Sequence, residues 1–148
     1  MPKINDVTIV LVEDNDGHAR LIEKNLRRAN VSNPIVKLSD GQAALDYLYD
    51  EQEGYVSKPN NLPLLILLDL NLPAVDGYHV LQEIKSDDRT KAIPIIILTT
   101  TDDIHEINRC YELGANVYIT KPVEYEEFAE AIARLGLFLS IVMLPDES

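Results

Sequence analysis

Short apolar runs alternate along the chain with longer segments in which apolar residues recur at helical spacing. The runs predict five β-strands, at 7–12, 35–38, 64–68, 94–99 and 116–120. The intervening segments predict helices at about 16–30 and 40–49, around 80–84, at about 104–113 and from about 124 onwards. This strict alternation is typical of an α/β protein with a single doubly wound parallel sheet, which has helices on both faces.

Two stretches depart from the alternation. The polar stretch 50–63 lies at the upper end of normal connection lengths, and we interpret it as a surface insertion rather than a domain linker. The tail 135–144 is almost wholly apolar. It is too short to span a bilayer and too apolar for a helix that buries only one face.

Polar residues follow the predicted strands at the points where each strand ends. Glu13 and Asp14 follow the first, Asp69 follows the third, Thr99 ends the fourth and Lys121 follows the fifth. In open parallel sheets, ligands bind outside the carboxyl ends of the strands. The sequence therefore predicts that three carboxylates, a hydroxyl and an ammonium converge at one edge of the sheet.

Carboxylates crowded in this way repel one another, so at least one of them should have a raised pKa. A divalent cation relieves that repulsion, and a set of oxygen ligands favours a hard ion, Mg²⁺ with Mn²⁺ as the alternative. A carboxylate beside such an ion can attack phosphorus and become an acyl phosphate. The lysine and the threonine are suited to bind the phosphoryl oxygens.

Composition narrows the function classes. The 148 residues fit one domain, and their formal net charge of −12 argues against nucleic-acid binding and against attraction to an anionic membrane. The single cysteine, Cys110, excludes an intramolecular disulfide and a cysteine zinc site, and we expect it to be a small buried residue in a helix. The three histidines lack ligand-like spacing. With no apolar span and no signal peptide at the start, we expect a cytoplasmic protein.

The strand-end residues, together with the segments 69–77 and 119–122, resemble the receiver domain of two-component response regulators over about residues 6–144. Within that family, the chain is similar to a stand-alone subfamily that partners phytochromes. The resemblance implies a flavodoxin-like sheet of order 2-1-3-4-5. It also implies one receiver domain over 1–148, with no output domain.

The resemblance also implies a role for each matching residue. Asp69 matches the phosphoacceptor, and the metal ligands are Asp14, Asp69, the Asn71 backbone carbonyl and, through water, Glu13. Two residues bind the phosphoryl group, Thr99 and Lys121. The switch consists of Thr99 and Tyr118, while the Asn71 side chain and Thr101 tune hydrolysis. The implied function is Mg²⁺-dependent acceptance of a phosphoryl group from a phytochrome-type sensor histidine kinase, read by a downstream protein whose identity stays open.

Three other functions are compatible with a sheet of this kind. A phosphatase with an aspartyl phosphate intermediate needs an acid or base two residues after its nucleophile, and Asn71 cannot shuttle a proton. We therefore expect that the protein is not an enzyme and catalyses only its own phosphorylation and dephosphorylation. A flavodoxin-like electron carrier is disfavoured because Glu13 and Asp14 would repel a cofactor phosphate. A purely structural interaction domain would be favoured by failure to take up phosphate.

The apolar tail predicts a homodimer. One helical stripe suits packing on the sheet and comprises Phe128, Ile132, Leu135, Leu139 and Val142. This stripe leaves four apolar residues without a later element to cover them, namely Leu137, Phe138, Ile141 and Leu144. A two-fold interface would bury such a patch, which Tyr111 and Tyr118 would extend.

Overall fold

Five parallel strands form one sheet in the order β2-β1-β3-β4-β5 in the computed structural model. The strands are β1 (Thr8–Val12), β2 (Ile35–Leu38), β3 (Leu64–Leu68), β4 (Ile95–Thr99) and β5 (Val117–Thr120). Four α-helices follow the first four strands: α1 (Asp16–Arg28), α2 (Gly41–Tyr49), α3 (Gly77–Ser86) and α4 (Ile104–Glu112). The structure describes residues 7–28, 30–58, 63–121 and Glu130. The predicted strand order and alternation are confirmed, whereas the helix predicted from about 124 lies outside the described residues.

Helices cover both faces of the sheet, as predicted. Helix α1 packs Ile22 and Leu26 into a buried cluster with alternate strand residues such as Ile9 and Leu67. The opposite face carries α2, α3 and α4, whose buried residues join the other strand positions, such as Val10 and Ile66. All five residues of β3 and of β4 are buried, which is why these strands read as continuous apolar runs.

The described part of the predicted insertion at 50–63 packs against α2 through a short 3₁₀ helix, Tyr55–Ser57. Its first turn is fixed by Asp50, whose Oδ1 accepts hydrogen bonds from the backbone N–H groups of Gln52 and Glu53. Its described residues line a cavity with Thr8 and Leu64, the first residues of β1 and β3, and so lie at the opposite edge of the sheet from the carboxyl ends. Among the described residues, no helix is long and apolar enough to cross a bilayer.

Strand register determines which side chains meet at the carboxyl edge. Val12 is paired with Leu68, so the next residues, Glu13 and Asp69, are neighbours. Thr99 is paired with Thr120, which places Lys121 beside the end of β4. The backbone N–H of Lys121 also donates to the carbonyl oxygen of Thr99 at 2.6 Å.

Candidate phosphorylation and metal site

Lys121 is the centre of a buried cluster at the carboxyl edge of the sheet. Its Nζ forms an ion pair with Glu13 Oε1 and lies 3.1 Å from Asp69 Oδ2. Glu13, Asp69 and Lys121 are each less than 10% exposed, so the cluster is largely shielded from water. An ammonium between two carboxylates compensates much of their mutual repulsion.

The two buried carboxyl groups titrate in opposite directions. Burial raises the pKa of Glu13 to about 7, and the nearby Asp69 adds to this, although Lys121 acts against both. Burial also acts to raise the pKa of Asp69, but the Asn71 backbone N–H and the Lys121 ammonium outweigh it, so that the pKa of Asp69 is lowered. Asp69 is therefore a carboxylate at neutral pH, as a nucleophile has to be.

Glu13, Asp14 and Asp69 each offer an oxygen, and these three oxygens all lie within 4.8 Å of one another. Glu13 and Asp69 are buried, whereas Asp14 is exposed at the rim. The donor set consists of carboxylate oxygens, which is the ligand type that Mg²⁺ and Mn²⁺ prefer. The residues present therefore fit a hard divalent cation.

The loop after β3 binds the Asp69 carboxylate through the oxygen that does not face Lys121. The backbone N–H of Asn71 donates to Asp69 Oδ1 at 3.0 Å, and Gly77 N–H donates to the Leu70 carbonyl oxygen at 3.0 Å. Helix α3 begins so close to this loop that a Cβ on Gly77 would lie 2.3 Å from the Asp69 carbonyl oxygen. Only glycine fits there, which explains the glycine at the start of α3. Asp76 caps the helix by accepting from the His79 N–H.

Thr99 and Tyr118 occupy the neighbouring strands. Thr99 is fully buried, and its Oγ1 makes no hydrogen bond within the described part of the chain. Tyr118 is half-buried, and its hydroxyl donates to the backbone carbonyl of Thr101. Burial is the main cause that raises the pKa of Tyr118 to about 12, so this phenol stays protonated as a donor. The loop after β4 is therefore tied to β5, while the Thr99 hydroxyl helps to lower the pKa of Asp69.

Sequence reasoning missed His18. Its Nδ1 lies 3.4 Å from Lys121 Nζ and 4.0 Å from Glu13 Oε1. Burial, followed by the Lys121 ammonium, lowers the pKa of His18. The signal was its place in the first turn of the helix that follows Glu13 and Asp14, since that turn faces the carboxyl edge. The predicted dimer residues Leu137, Phe138, Ile141 and Leu144, by contrast, lie outside the described residues.

Comparison with known proteins identifies the family that this sheet and site define. The response regulator receiver domain family matches residues 9–133, and this chain belongs to it. Members of the family typically signal by phosphorylation. In the curated relative Response regulator Rcp1 of Synechocystis, 138 residues align at 38% identity, covering 93% of this chain and 92% of Rcp1.

Solved structures agree with this assignment. A response regulator receiver domain from Rhodospirillum rubrum has 56% sequence identity and a TM-score of 0.85, covering 93% of this chain and 96% of that one. The phosphorylated cyanobacterial phytochrome response regulator RcpA has 40% sequence identity and a TM-score of 0.81, covering 94% of this chain and 98% of RcpA. The Mn²⁺-bound form of Rcp1 has 36% sequence identity and a TM-score of 0.82, covering 98% of this chain and 100% of that one. The chain is therefore a receiver domain similar to phytochrome-associated response regulators.

Proposed function

We propose that Asp69 accepts a phosphoryl group from a sensor histidine kinase. The observation that carries this proposal is the arrangement of Asp69 itself: an ionised, buried carboxylate with the Lys121 ammonium 3.1 Å from one of its oxygens. The sensor kinase is proposed to be of the phytochrome type, because the chain is similar to RcpA and Rcp1 over almost their full lengths.

The transfer is a displacement at phosphorus. A bond forms between an Asp69 carboxylate oxygen and phosphorus while the phosphorus–nitrogen bond of the donor's phosphohistidine breaks, and its electron pair stays on the imidazole nitrogen. Lys121 stabilises the charge on the transferring phosphoryl oxygens, since it is fixed beside the nucleophile before the donor arrives. Lys121 and Thr99 are both proposed to bind the phosphoryl group of the product.

Mg²⁺ is the proposed cofactor, with Mn²⁺ as the alternative, and when bound it would neutralise the carboxylates and draw a phosphoryl oxygen toward them. Asp14 and Asp69 are the proposed direct carboxylate ligands, while Glu13 contributes through water and Asn71 through its backbone carbonyl. The mutual approach of the three carboxylates supports this proposal. The Mn²⁺-bound structure of the similar protein Rcp1 supports it as well.

The response to phosphorylation is proposed to run through Thr99 and Tyr118. The Thr99 hydroxyl, which makes no hydrogen bond within the described residues, gains an acceptor when a phosphoryl oxygen lies beside it. Thr99 then vacates space beside Tyr118. The Tyr118 side chain turns into that space and adopts a second rotamer, which breaks its hydrogen bond to the Thr101 carbonyl. The side chains of Asn71 and Thr101 are proposed to tune the rate at which the acyl phosphate hydrolyses.

The signal is proposed to leave the molecule through protein contact in the cytoplasm. Residues 1–148 act as a receiver domain in this proposal, without a nucleic-acid partner and without catalysis beyond the protein's own phosphorylation and dephosphorylation. The apolar residues 137, 138, 141 and 144 are proposed to form a homodimer interface. The Phe138→Asp variant should then sediment as a folded monomer that still accepts phosphate. If the wild-type protein sediments as a monomer at high concentration, both with and without phosphorylation, the dimer is excluded.

Acetyl phosphate with Mg²⁺ tests the phosphoacceptor directly. Wild-type protein should gain one acid-stable, base-labile phosphoryl group, measured by intact-mass spectrometry and acid–urea gels. Asp69→Asn should gain none, because the amide keeps the shape of the side chain but loses the nucleophile. Asp102→Asn is the matched control, since Asp102 is an exposed aspartate after β4, and it should be labelled like wild type. Labelling of Asp69→Asn at another residue would contradict the assignment.

A further inference from the structure

His18 is held at the mouth of the site by the first turn of α1. Its backbone N–H donates to Oδ1 of Asn15 at 3.0 Å, an N-terminal cap that fixes where the turn begins. The His18 side chain is 44% exposed, yet its Nδ1 points inward, 3.4 Å from Lys121 Nζ. The imidazole therefore lies between solvent and the buried ion-pair cluster.

The three donors of the Lys121 ammonium match three acceptors: Glu13 Oε1, Asp69 Oδ2 and His18 Nδ1. To accept from an ammonium, Nδ1 must carry a lone pair, so the imidazole is neutral and its proton sits on Nε2. The lowered pKa of His18 agrees with that state. His18 is also the one acceptor of the three that is neither the proposed phosphoacceptor nor part of the proposed metal site.

We propose that His18 is a positioning residue that holds the Lys121 ammonium beside Asp69 during phosphoryl transfer. The inference rests on the proposed function. When the Asp69 carboxylate becomes an acyl phosphate and Glu13 serves the metal site, both carboxylate acceptors of Lys121 change. His18 keeps one donor in place, so the remaining donors stay directed toward the phosphoryl oxygens rather than swinging to solvent.

A matched pair of variants separates the acceptor from the shape of the side chain. In His18→Asn, the amide Oδ1 takes the position of the imidazole Nδ1 and accepts a hydrogen bond. In His18→Leu, the branched side chain has a similar outline but no acceptor. Phosphorylation by acetyl phosphate at saturating Mg²⁺ should slow about fivefold in His18→Leu, the loss expected for one hydrogen bond. The rate in His18→Asn should stay close to wild type, and both variants should retain the apparent Mg²⁺ affinity.

A second readout uses the metal-free protein. With ¹⁵N-labelled lysine, the Lys121 ammonium protons should exchange slowly with water in wild type and His18→Asn, and faster in His18→Leu. With ¹⁵N-labelled histidine, the His18 Nδ1 resonance should be that of an unprotonated ring nitrogen. If His18 only packed against the start of the helix, Lys121 ammonium exchange would be the same in wild type and in both variants.

The possible outcomes fall into distinct groups. Slow transfer in His18→Leu with recovery in His18→Asn supports the inference. Wild-type rates and Lys121 exchange in His18→Leu would overturn it, as would equal slowing in both variants. If either happens while Asp69→Asn remains inert, the proposed phosphoacceptor still stands. Labelling of Asp69→Asn would instead overturn the proposed function itself.

Discussion

Glu13 and Lys121 form an ion pair in which each side chain is only 2% exposed. Even so, the pKa of Glu13 is raised to about 7, because removing the carboxylate from water costs more than Lys121 returns. The repulsion expected among the converging carboxylates accounts for only part of this shift, since burial is the larger cause and Asp69 a smaller one. The raised pKa makes the stability of the metal-free protein depend on pH.

We predict that metal-free protein loses stability as pH rises from about 4.5 to about 7. In this window the folded state keeps a proton on Glu13 that the unfolded state, with the ordinary pKa of 4.5, has already released. Stability falls with rising pH wherever the folded state binds more protons than the unfolded state. A pKa shift of this size corresponds to about 3 kcal/mol in the free energy of unfolding. Urea unfolding in the presence of a chelator, at pH 5 and pH 7.5, measures the difference.

Glu13→Gln serves as the reference protein for this prediction. The lowered pKa of His18 acts in the opposite sense, adding stability as pH rises toward 6.5, and the lowered pKa of Asp69 acts only below about pH 3.8. Both groups remain in the variant, so subtracting its pH dependence isolates Glu13. Identical pH dependence in the two proteins would show that Glu13 does not hold the proton.

Removal of Asp14 should weaken the response to Mg²⁺. In the wild type, Mg²⁺ at ten times its dissociation constant should raise the free energy of unfolding by about 1.4 kcal/mol. Asp14→Asn should lose most of that increase, because one of three converging carboxylates is gone. Asp16→Asn removes an exposed carboxylate two residues further on, outside the cluster, and should respond like wild type. Thermal melts across an Mg²⁺ titration make the comparison, and equal responses in all three proteins would contradict the metal site.

Thr99→Val should leave phosphorylation of Asp69 intact but uncouple it from the response of Tyr118. The valine keeps the shape of the side chain and removes the buried hydroxyl, which meets no hydrogen-bond geometry within the described residues but helps to lower the pKa of Asp69. The variant should still take up phosphate on Asp69, but the Tyr118 resonances should no longer shift on phosphorylation. Thr100→Val, at the exposed neighbouring position, is the control. A wild-type Tyr118 response in Thr99→Val would contradict the proposed switch.

The sequence predicts the sheet and the convergence of polar residues because both depend on where apolar runs end. Val12 and Leu68 terminate buried strands, so the residues that follow them reach the same edge. What the pattern leaves open is which of two adjacent acids turns inward. Glu13 is buried and Asp14 exposed, and that choice depends on the direction the chain takes into α1. The approach of His18 to Lys121 depends on the same turn, across residues far apart in sequence, so spacing alone does not reveal it.

Tyr111 covers a backbone donor at the outer edge of the sheet. Strand β5 is an edge strand, and the Tyr118 N–H faces away from β4, where the Tyr111 hydroxyl accepts its hydrogen bond at 3.1 Å. Tyr111 itself is 47% exposed. Because edge strands present unpaired donors to other chains, a side chain that occupies one of them protects the edge.

Tyr111→Phe should therefore speed hydrogen exchange at the Tyr118 amide about fivefold, the effect of losing roughly 1 kcal/mol of local protection. The ring and its packing stay in place, so global stability should change by less than that. Tyr118→Phe is the matched control, because it removes the bond to the Thr101 carbonyl but leaves the backbone N–H and its Tyr111 acceptor intact. Exchange followed by ¹H–¹⁵N spectra resolves the single amide. If the Tyr118 amide exchanges equally fast in wild type and Tyr111→Phe, the phenol does not protect this edge.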